Sequence, residues 1–255
     1  SAVGLASYLG RFVPVAADTT PFFQIPLAIV TLRLSPQSIV ALTAIGGLSV
    51  VHIFGLGPGR ILQNLLAALK VLVLMVFVAV GFSIGQGSTS NFVASGGGVV
   101  ASSWALAMIP VMFSYSGWNA ASYLAEEIRD PGRNVPLALG IGTGAVVVIY
   151  LLLNFLYIYA LPVTELAEVD VRVVDAAADQ LFGPAVAGPL AAASVVMIAA
   201  SISAMVLAGP RVYYAMAQDG QFFAKFAEVH PRFRTPTAAI VAQSVWAGVL
   251  VLTGT

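Results

Sequence analysis

The chain has 255 residues, of which 59% are hydrophobic and 9% charged, with 11 Lys+Arg balanced by 11 Asp+Glu and a mean hydropathy of +0.95. Soluble domains carry about 25% charged residues, so a water-soluble globular enzyme fits poorly, and a net charge of zero without any Lys/Arg-rich run leaves no electrostatic footprint for nucleic acid. The lack of cysteine removes disulfides, thiolate chemistry and Cys-based metal sites, and the two histidines, His52 and His230, stand too far apart for a metal-type spacing.

The charges leave long gaps. Fifty-five residues between Lys70 and Glu126 carry no formal charge, and similar gaps run from Arg133 to Glu165 and from Asp179 to Arg211. A helix needs about 20 apolar residues to cross the hydrocarbon, so these gaps predict membrane spans. In chain order they read as a short apolar piece at 1–17, then six full spans near 38–56, 60–84, 99–125, 137–161, 184–209 and 236–254. The first piece contains Arg11 and Pro14 and reads as a chain entering partway through a helix, as expected of a fragment. No charged segment with a short apolar run and a cleavage site opens the sequence, so the spans are expected to do the targeting.

Between the spans, residues 85–98 are Gly/Ser-rich and uncharged, the composition of a polar loop. Residues 162–183 begin with Pro162, Val163 and Thr164 as an N-cap candidate, carry five acids, and predict one or two short surface helices. Residues 210–235 form a basic, aromatic-rich connector containing Asp219-Gly220 and ending in His230-Pro231-Arg232-Phe233-Arg234-Thr235. Seven cations (Arg60, Arg129, Arg133, Arg211, Lys225, Arg232, Arg234) fall on one alternating set of loops and three (Arg11, Arg33, Arg172) on the other. The positive-inside rule makes the first set cytoplasmic and the acidic 162–183 connector external.

Two features stand at midplane depth. Phe113-Ser114-Tyr115-Ser116-Gly117-Trp118-Asn119 follows Pro110 in the middle of the 99–125 span, with the Gly and the small hydroxylic residues an unwound stretch requires. Such a break frees carbonyls on one side and N–H groups on the other, which suit the ammonium and the carboxylate of a zwitterion. Gly117 and the serines fit equally the small residues that pack transmembrane helices together. The second feature is Lys70, ten residues past Arg60 and so about 15 Å deeper at 1.5 Å per residue. An intramembrane lysine reads either as a functional group facing a polar cavity or as a fixed tie to carbonyls and hydroxyls. Ser201 and Ser203 lie mid-span, His52 near the cytoplasmic end of its span as a satisfied polar residue, and Glu126, Glu127, Arg129, Asp130 and Arg133 form a solvated boundary or an ion-pair gate. The spans carry neither paired acids nor a Ser with a base, so an intramembrane enzyme is not expected.

The stretch FSYSGWNAASYLAEEIRDPGRNVPLA from Phe113 to Ala138 resembles the sixth helix and following loop of the amino acid, polyamine and organocation (APC) superfamily of permeases, with the order of its aromatic and small residues similar to the L-type amino-acid transporter branch. NLLAALK at 64–70 is similar to the fifth helix of that family, and GPRVYYAMAQDG at 209–220 through His230-Pro231 to the end of the eighth and its loop. The resemblance implies an all-α integral membrane protein with a partial five-plus-five inverted-repeat, leucine-transporter-like fold, running from the outer part of helix 3 to helix 9 as a single transmembrane domain. On the matching positions it implies Phe113 as an aromatic gate, Ser114, Ser116 and Gly117 as the backbone receiving the ammonium and flanking the side-chain pocket, and Asn119 as a hydrogen-bonding residue that favours neutral over cationic substrates. Lys70 occupies the place of a sodium ion with Ser201 as its neighbour, which implies sodium-independent transport of amino acids by proton coupling or exchange. The Gly-rich first helix that binds the carboxylate in the family lies outside the sequence. The resemblance implies no metal or organic cofactor, no nucleic acid, and an amino-acid substrate, protons and the lipid bilayer as partners; it leaves any accessory subunit open. A polyamine or cationic amino-acid carrier is the rival within transport, and an inactive truncated membrane protein the rival outside it. The composition suits a plasma membrane, the bacterial inner membrane in particular.

Overall fold

The computed structural model describes residues 1–26, 31–93, 101–169 and 172–253. The chain divides into two compact units, residues 1–74 with 187–255 and residues 75–186.

The first unit begins with α1 (Ala2–Leu9), a turn and a single 3-10 turn at Pro14–Ala17. A small antiparallel hairpin follows, β1 (Phe23–Pro26) with β2 (Thr31–Leu34), in the register Phe23 opposite Leu34 and Gln24 opposite Arg33. This hairpin is an addition to the helical class expected from composition. α2 (Pro36–Ile53) starts on a reciprocal capping box: Ser38 N–H donates to Ser35 Oγ at 3.2 Å and Ser35 N–H to Ser38 Oγ at 2.8 Å. α3 (Leu56–Ile84) follows after Gly55, whose φ of +135° allows the tight reversal. The long α8 (Ala187–Gln218) and α9 (Thr237–Leu252) complete the unit. Its core gathers Leu5, Ala41, Ile45, Ile202, Val206 and Ile240 from α1, α2, α8 and α9. Ala41 of α2 and Ile240 of α9 are both fully buried within it.

The second unit holds the end of α3, then α4 (Ala101–Ser114), a 3-10 stretch at Trp118–Glu127, α5 (Pro131–Ala160), α6 (Val163–Ala167) and α7 (Val173–Phe182). α3 packs on α5 through Gly81, where an added Cβ would stand 2.6 Å from Leu156 Cδ1, and through the rings of Phe82 and Tyr159 at 5.4 Å. The Gly/Ser loop is tied back by Ser88 N–H donating to the Tyr159 carbonyl at 2.9 Å and Gln86 N–H to the Leu181 carbonyl at 3.0 Å.

Among the described residues, four helices are long and apolar enough to cross a membrane: Pro36–Ile53, Gly59–Ile84, Pro131–Ala160 and Pro184–Gln218. Six full spans were expected. α9 has 16 residues and α4 has 14, which at 1.5 Å each give about 24 and 21 Å against a hydrocarbon core of about 30 Å. Residues 99, 100 and 254 of the expected spans lie outside the described residues, as do Asp170 and Val171 of the acidic connector.

Two boundaries move for a shared reason. α8 runs nine residues past the expected end, through Pro210, and α5 begins six residues before the expected start, through Pro136. Proline removes a donor and crowds the preceding turn, but in a membrane side chains can satisfy the freed carbonyls. In α8 the Arg211 guanidinium donates to the Leu207 carbonyl, next to the Val206 carbonyl that Pro210 leaves without its helical donor. In α5, Pro131 at the first turn follows Asp130, whose carbonyl accepts from Asn134 N–H at 3.0 Å and Arg133 N–H at 3.1 Å. In the acidic connector the two short helices appear, but Pro162 rather than Thr164 holds the N-cap position of α6.

Candidate functional site

α4 stops at Ser114 in the middle of the expected 99–125 span. Pro110 contributes no N–H to the last turns, and Ser114 Oγ donates back to the Pro110 carbonyl at 2.8 Å. Tyr115 N–H still reaches the Val111 carbonyl at 3.2 Å, but Ser116 N–H tightens onto the Phe113 carbonyl at 3.0 Å. Gly117 then takes φ +90° and ψ 0°, a left-handed conformation that costs a residue with a Cβ about 1–2 kcal/mol. The chain resumes as a 3-10 stretch, whose first turn is closed by Ala120 N–H donating to the Gly117 carbonyl at 3.0 Å.

The interruption leaves main-chain groups open. Among the described residues the N–H groups of Gly117, Trp118 and Asn119 and the carbonyls of Tyr115 and Ser116 have no backbone partner. Donors and acceptors therefore stand within five residues of each other. The free carbonyl end of α4 is held by a neighbour: Tyr150 Oη on α5 donates to the Ser114 carbonyl at 3.1 Å, while the rings of Tyr115 and Tyr150 meet edge to face at 5.1 Å. Nothing in the spacing of Tyr150 marks it in advance, since it lies 36 residues downstream in a run of apolar helix.

The other expected residues fall as follows. Phe113 is 79% exposed, and Ser114 and Ser116 are exposed. Asn119 is half-buried and donates through Nδ2 to Tyr123 Oη at 2.6 Å. Lys70 is half-buried on α3, and among the described residues neither a hydrogen bond nor an ion pair holds its ammonium. Ser201 Oγ donates to the Met197 carbonyl at 3.1 Å, one turn back on α8. Glu126, Glu127, Arg129, Asp130 and Arg133 are all exposed.

A buried polar pair emerges where sequence reasoning left His52 without a named partner. His52 on α2 is 3% exposed and Ser203 on α8 is 0% exposed, with His52 Nε2 and Ser203 Oγ 2.9 Å apart. A second tie joins α2 to α9, Ser49 Oγ to Ser244 Oγ at 2.7 Å. A cavity of about 380 Å³ in the same unit is walled by Ile45, Ile202, Met205, Val206 and Gln243, and none of the expected site residues lines it.

No group of His, Cys, Asp and Glu suited to holding a metal ion is present among the described residues. The arrangement is thus one of membrane-length apolar helices, with one further apolar helix interrupted after Ser114, the build of an integral membrane protein. The chain belongs to the amino acid permease family, whose model matches residues 1–255. Among curated proteins it is similar to the serine/threonine exchanger SteT of Bacillus subtilis, 28% identical over 85% of this chain and 49% of the relative. It is also similar to the human b(0,+)-type amino acid transporter 1, 30% identical over 86% of this chain and 46% of the relative, and to the vacuolar cationic amino acid transporter 4 of Arabidopsis thaliana, 28% identical over 79% and 34%. The chain spans about half the length of the curated relatives it matches, or less. The family is one of permeases, not enzymes.

Proposed function

We propose that the protein carries amino acids, neutral ones in preference, across a cell membrane as a secondary transporter working by alternating access, independent of sodium and driven by proton coupling or exchange. The observation that carries this reading is the opened main chain at 115–119, in a chain of the amino acid permease family. An unsatisfied backbone group in the hydrocarbon costs several kcal/mol. A ligand with both an ammonium and a carboxylate offsets that cost at both kinds of group, and every amino acid has both.

In this reading the Tyr115 and Ser116 carbonyls accept from the ammonium, and the N–H groups of Gly117 to Asn119 donate to carboxylate or water. Phe113 closes over the substrate, Ser114 and Ser116 flank its side chain, and Asn119 orients it. Lys70 supplies a cation in place of sodium, with Ser201 as its neighbour. The chain then comprises the outer part of helix 3 to helix 9 of a five-plus-five inverted repeat, one transmembrane domain, with residues 162–183 outside and 210–235 in the cytoplasm. The relative named as a cationic amino acid transporter keeps a cationic carrier as the second reading.

Uptake of labelled leucine into proteoliposomes tests the proposal. In the full-length protein, Asn119→Ala and Lys70→Ala are expected to bring uptake to background while the protein still elutes as a single folded peak. Normal uptake in both variants overturns the site. Competition by unlabelled arginine stronger than by leucine shifts the substrate class to cationic.

A further inference from the structure

Between α8 and α9 lies a surface that transport does not use. Phe222, Phe223 and Phe226 form one ring cluster, with Phe222 5.1 Å from each of the other two, and Tyr213 on α8 stacks on Phe222 at 5.8 Å. Phe223 nonetheless stays 71% exposed, and Phe222 is exposed beside it. The following turn carries Arg232 and Arg234, both exposed, with Arg232 over the Phe233 ring at 5.6 Å and the His230 ring stacked on Phe233 at 4.5 Å. Lys225 is paired with Glu228 at 2.9 Å, so the surplus positive charge of the connector comes from the two arginines and Arg211, opposed by Asp219.

The segment is held firmly. Thr235 is 0% exposed and donates through Oγ1 to the Ile53 carbonyl at 3.0 Å, and His230 Nδ1 accepts from the N–H groups of Arg232 and Phe233 at 3.2 and 3.3 Å. The cluster therefore does not fold away by collapsing inward. Its ends are the last residue of a membrane-length apolar helix and the first of another apolar helix, which puts the connector at a boundary between hydrocarbon and water. Aromatic rings favour that depth, and Lys/Arg side chains beside them favour anionic headgroups.

We propose that residues 219–234 are an interfacial anchor that seats the Phe222–Phe223 face among the upper acyl chains and sets Arg232 and Arg234 against the phosphates of anionic lipid. The occupant is the bilayer surface itself. Docking fixes the α8–α9 end of the first unit at a set depth and makes that depth sensitive to lipid charge.

The test uses Phe223→Trp in the reconstituted protein, with the emission of Trp104, Trp118 and Trp246 subtracted from the parent. In vesicles of phosphatidylcholine and phosphatidylglycerol, the added indole should be quenched by lipids brominated near the headgroup end of the chain and shielded from aqueous iodide. Arg232→Gln with Arg234→Gln should weaken docking roughly fivefold for each cation removed, read as a return of iodide access. High salt on the Phe223→Trp protein should reproduce that loss if the double variant does not fold. Full iodide access in anionic vesicles overturns the proposal. So does shielding from both quenchers, which would mean that protein covers the face, and so does an equal response in pure phosphatidylcholine.

Discussion

The two units of the molecule treat their polar groups in different ways. In the first, several polar side chains set between helices find partners across the gap, His52 with Ser203, Ser49 with Ser244 and Thr235 with the Ile53 carbonyl, while His52 Nδ1 and Gln243 Oε1 stay buried without one. In the second, the main chain itself is left open at 115–119, and one hydroxyl, Tyr150 Oη, reaches into it. Side-chain pairs between small residues hold the helices that carry them at close spacing. Open backbone groups instead retain capacity for a ligand. The difference teaches that side-chain ties between helices and an interrupted main chain fall in separate parts of the chain, with α3 supplying residues up to Leu74 to one and from Met75 to the other.

Substitutions at two glycines would break this comparison most directly. Gly59 is buried, and a Cβ there would stand 2.6 Å from His52 Nδ1, so Gly59→Ala must displace the imidazole and its bond to Ser203. The expected loss is about 1–3 kcal/mol, the range for overpacking, seen as earlier thermal unfolding in detergent. At Gly117 a Cβ meets nothing within 4 Å, and the strain comes from φ alone. Gly117→Ala is therefore expected to cost about 1–2 kcal/mol or to regularise the break, with uptake falling further than unfolding temperature. If Gly59→Ala proves harmless, the first unit is looser than its ties imply.

A smaller effect is expected from Tyr150→Phe, which keeps the ring packed on Tyr115 but removes the donor to the Ser114 carbonyl. A loss of about 1 kcal/mol should appear as faster amide exchange confined to residues 111–120. The smallest effect concerns the acidic connector. Burial pushes the Asp175 carboxyl above its usual range, the opposing Arg172 guanidinium lowers it, and the Asp179 carboxylate raises it further. A raised carboxyl disfavours the folded state above its unfolded pKa, and the penalty fades as pH falls through the folded value. Asp175→Asn should then stabilise at neutral pH by less than about 0.5 kcal/mol and flatten the pH profile of unfolding.

Charge-free gaps were enough to place α2, α3, α5 and α8, because a long apolar helix is the one way such a run satisfies its backbone in lipid. At both boundaries the helix runs on through a proline, Pro210 in α8 and Pro136 in α5, where composition alone marks a break. The break after Ser114 was legible in Pro110, the serines and Gly117, although packing by small residues explained the same letters equally well. The hairpin was not legible: four-residue strands with Phe23 and Ile25 both exposed carry too short a pattern to stand out. Nor was the His52–Ser203 bond, which joins residues 151 apart and leaves no local mark.

The opening at 115–119 has an evolutionary consequence. Because its donors and acceptors are peptide groups, almost no single codon change removes them; Gly117 is the exposed point, through its left-handed turn. Phe113, Ser114 and Ser116 beside it are exposed, so under the proposed function preference among solutes can drift by exchanging these neighbours while the grip on features shared by all of them is inherited unchanged.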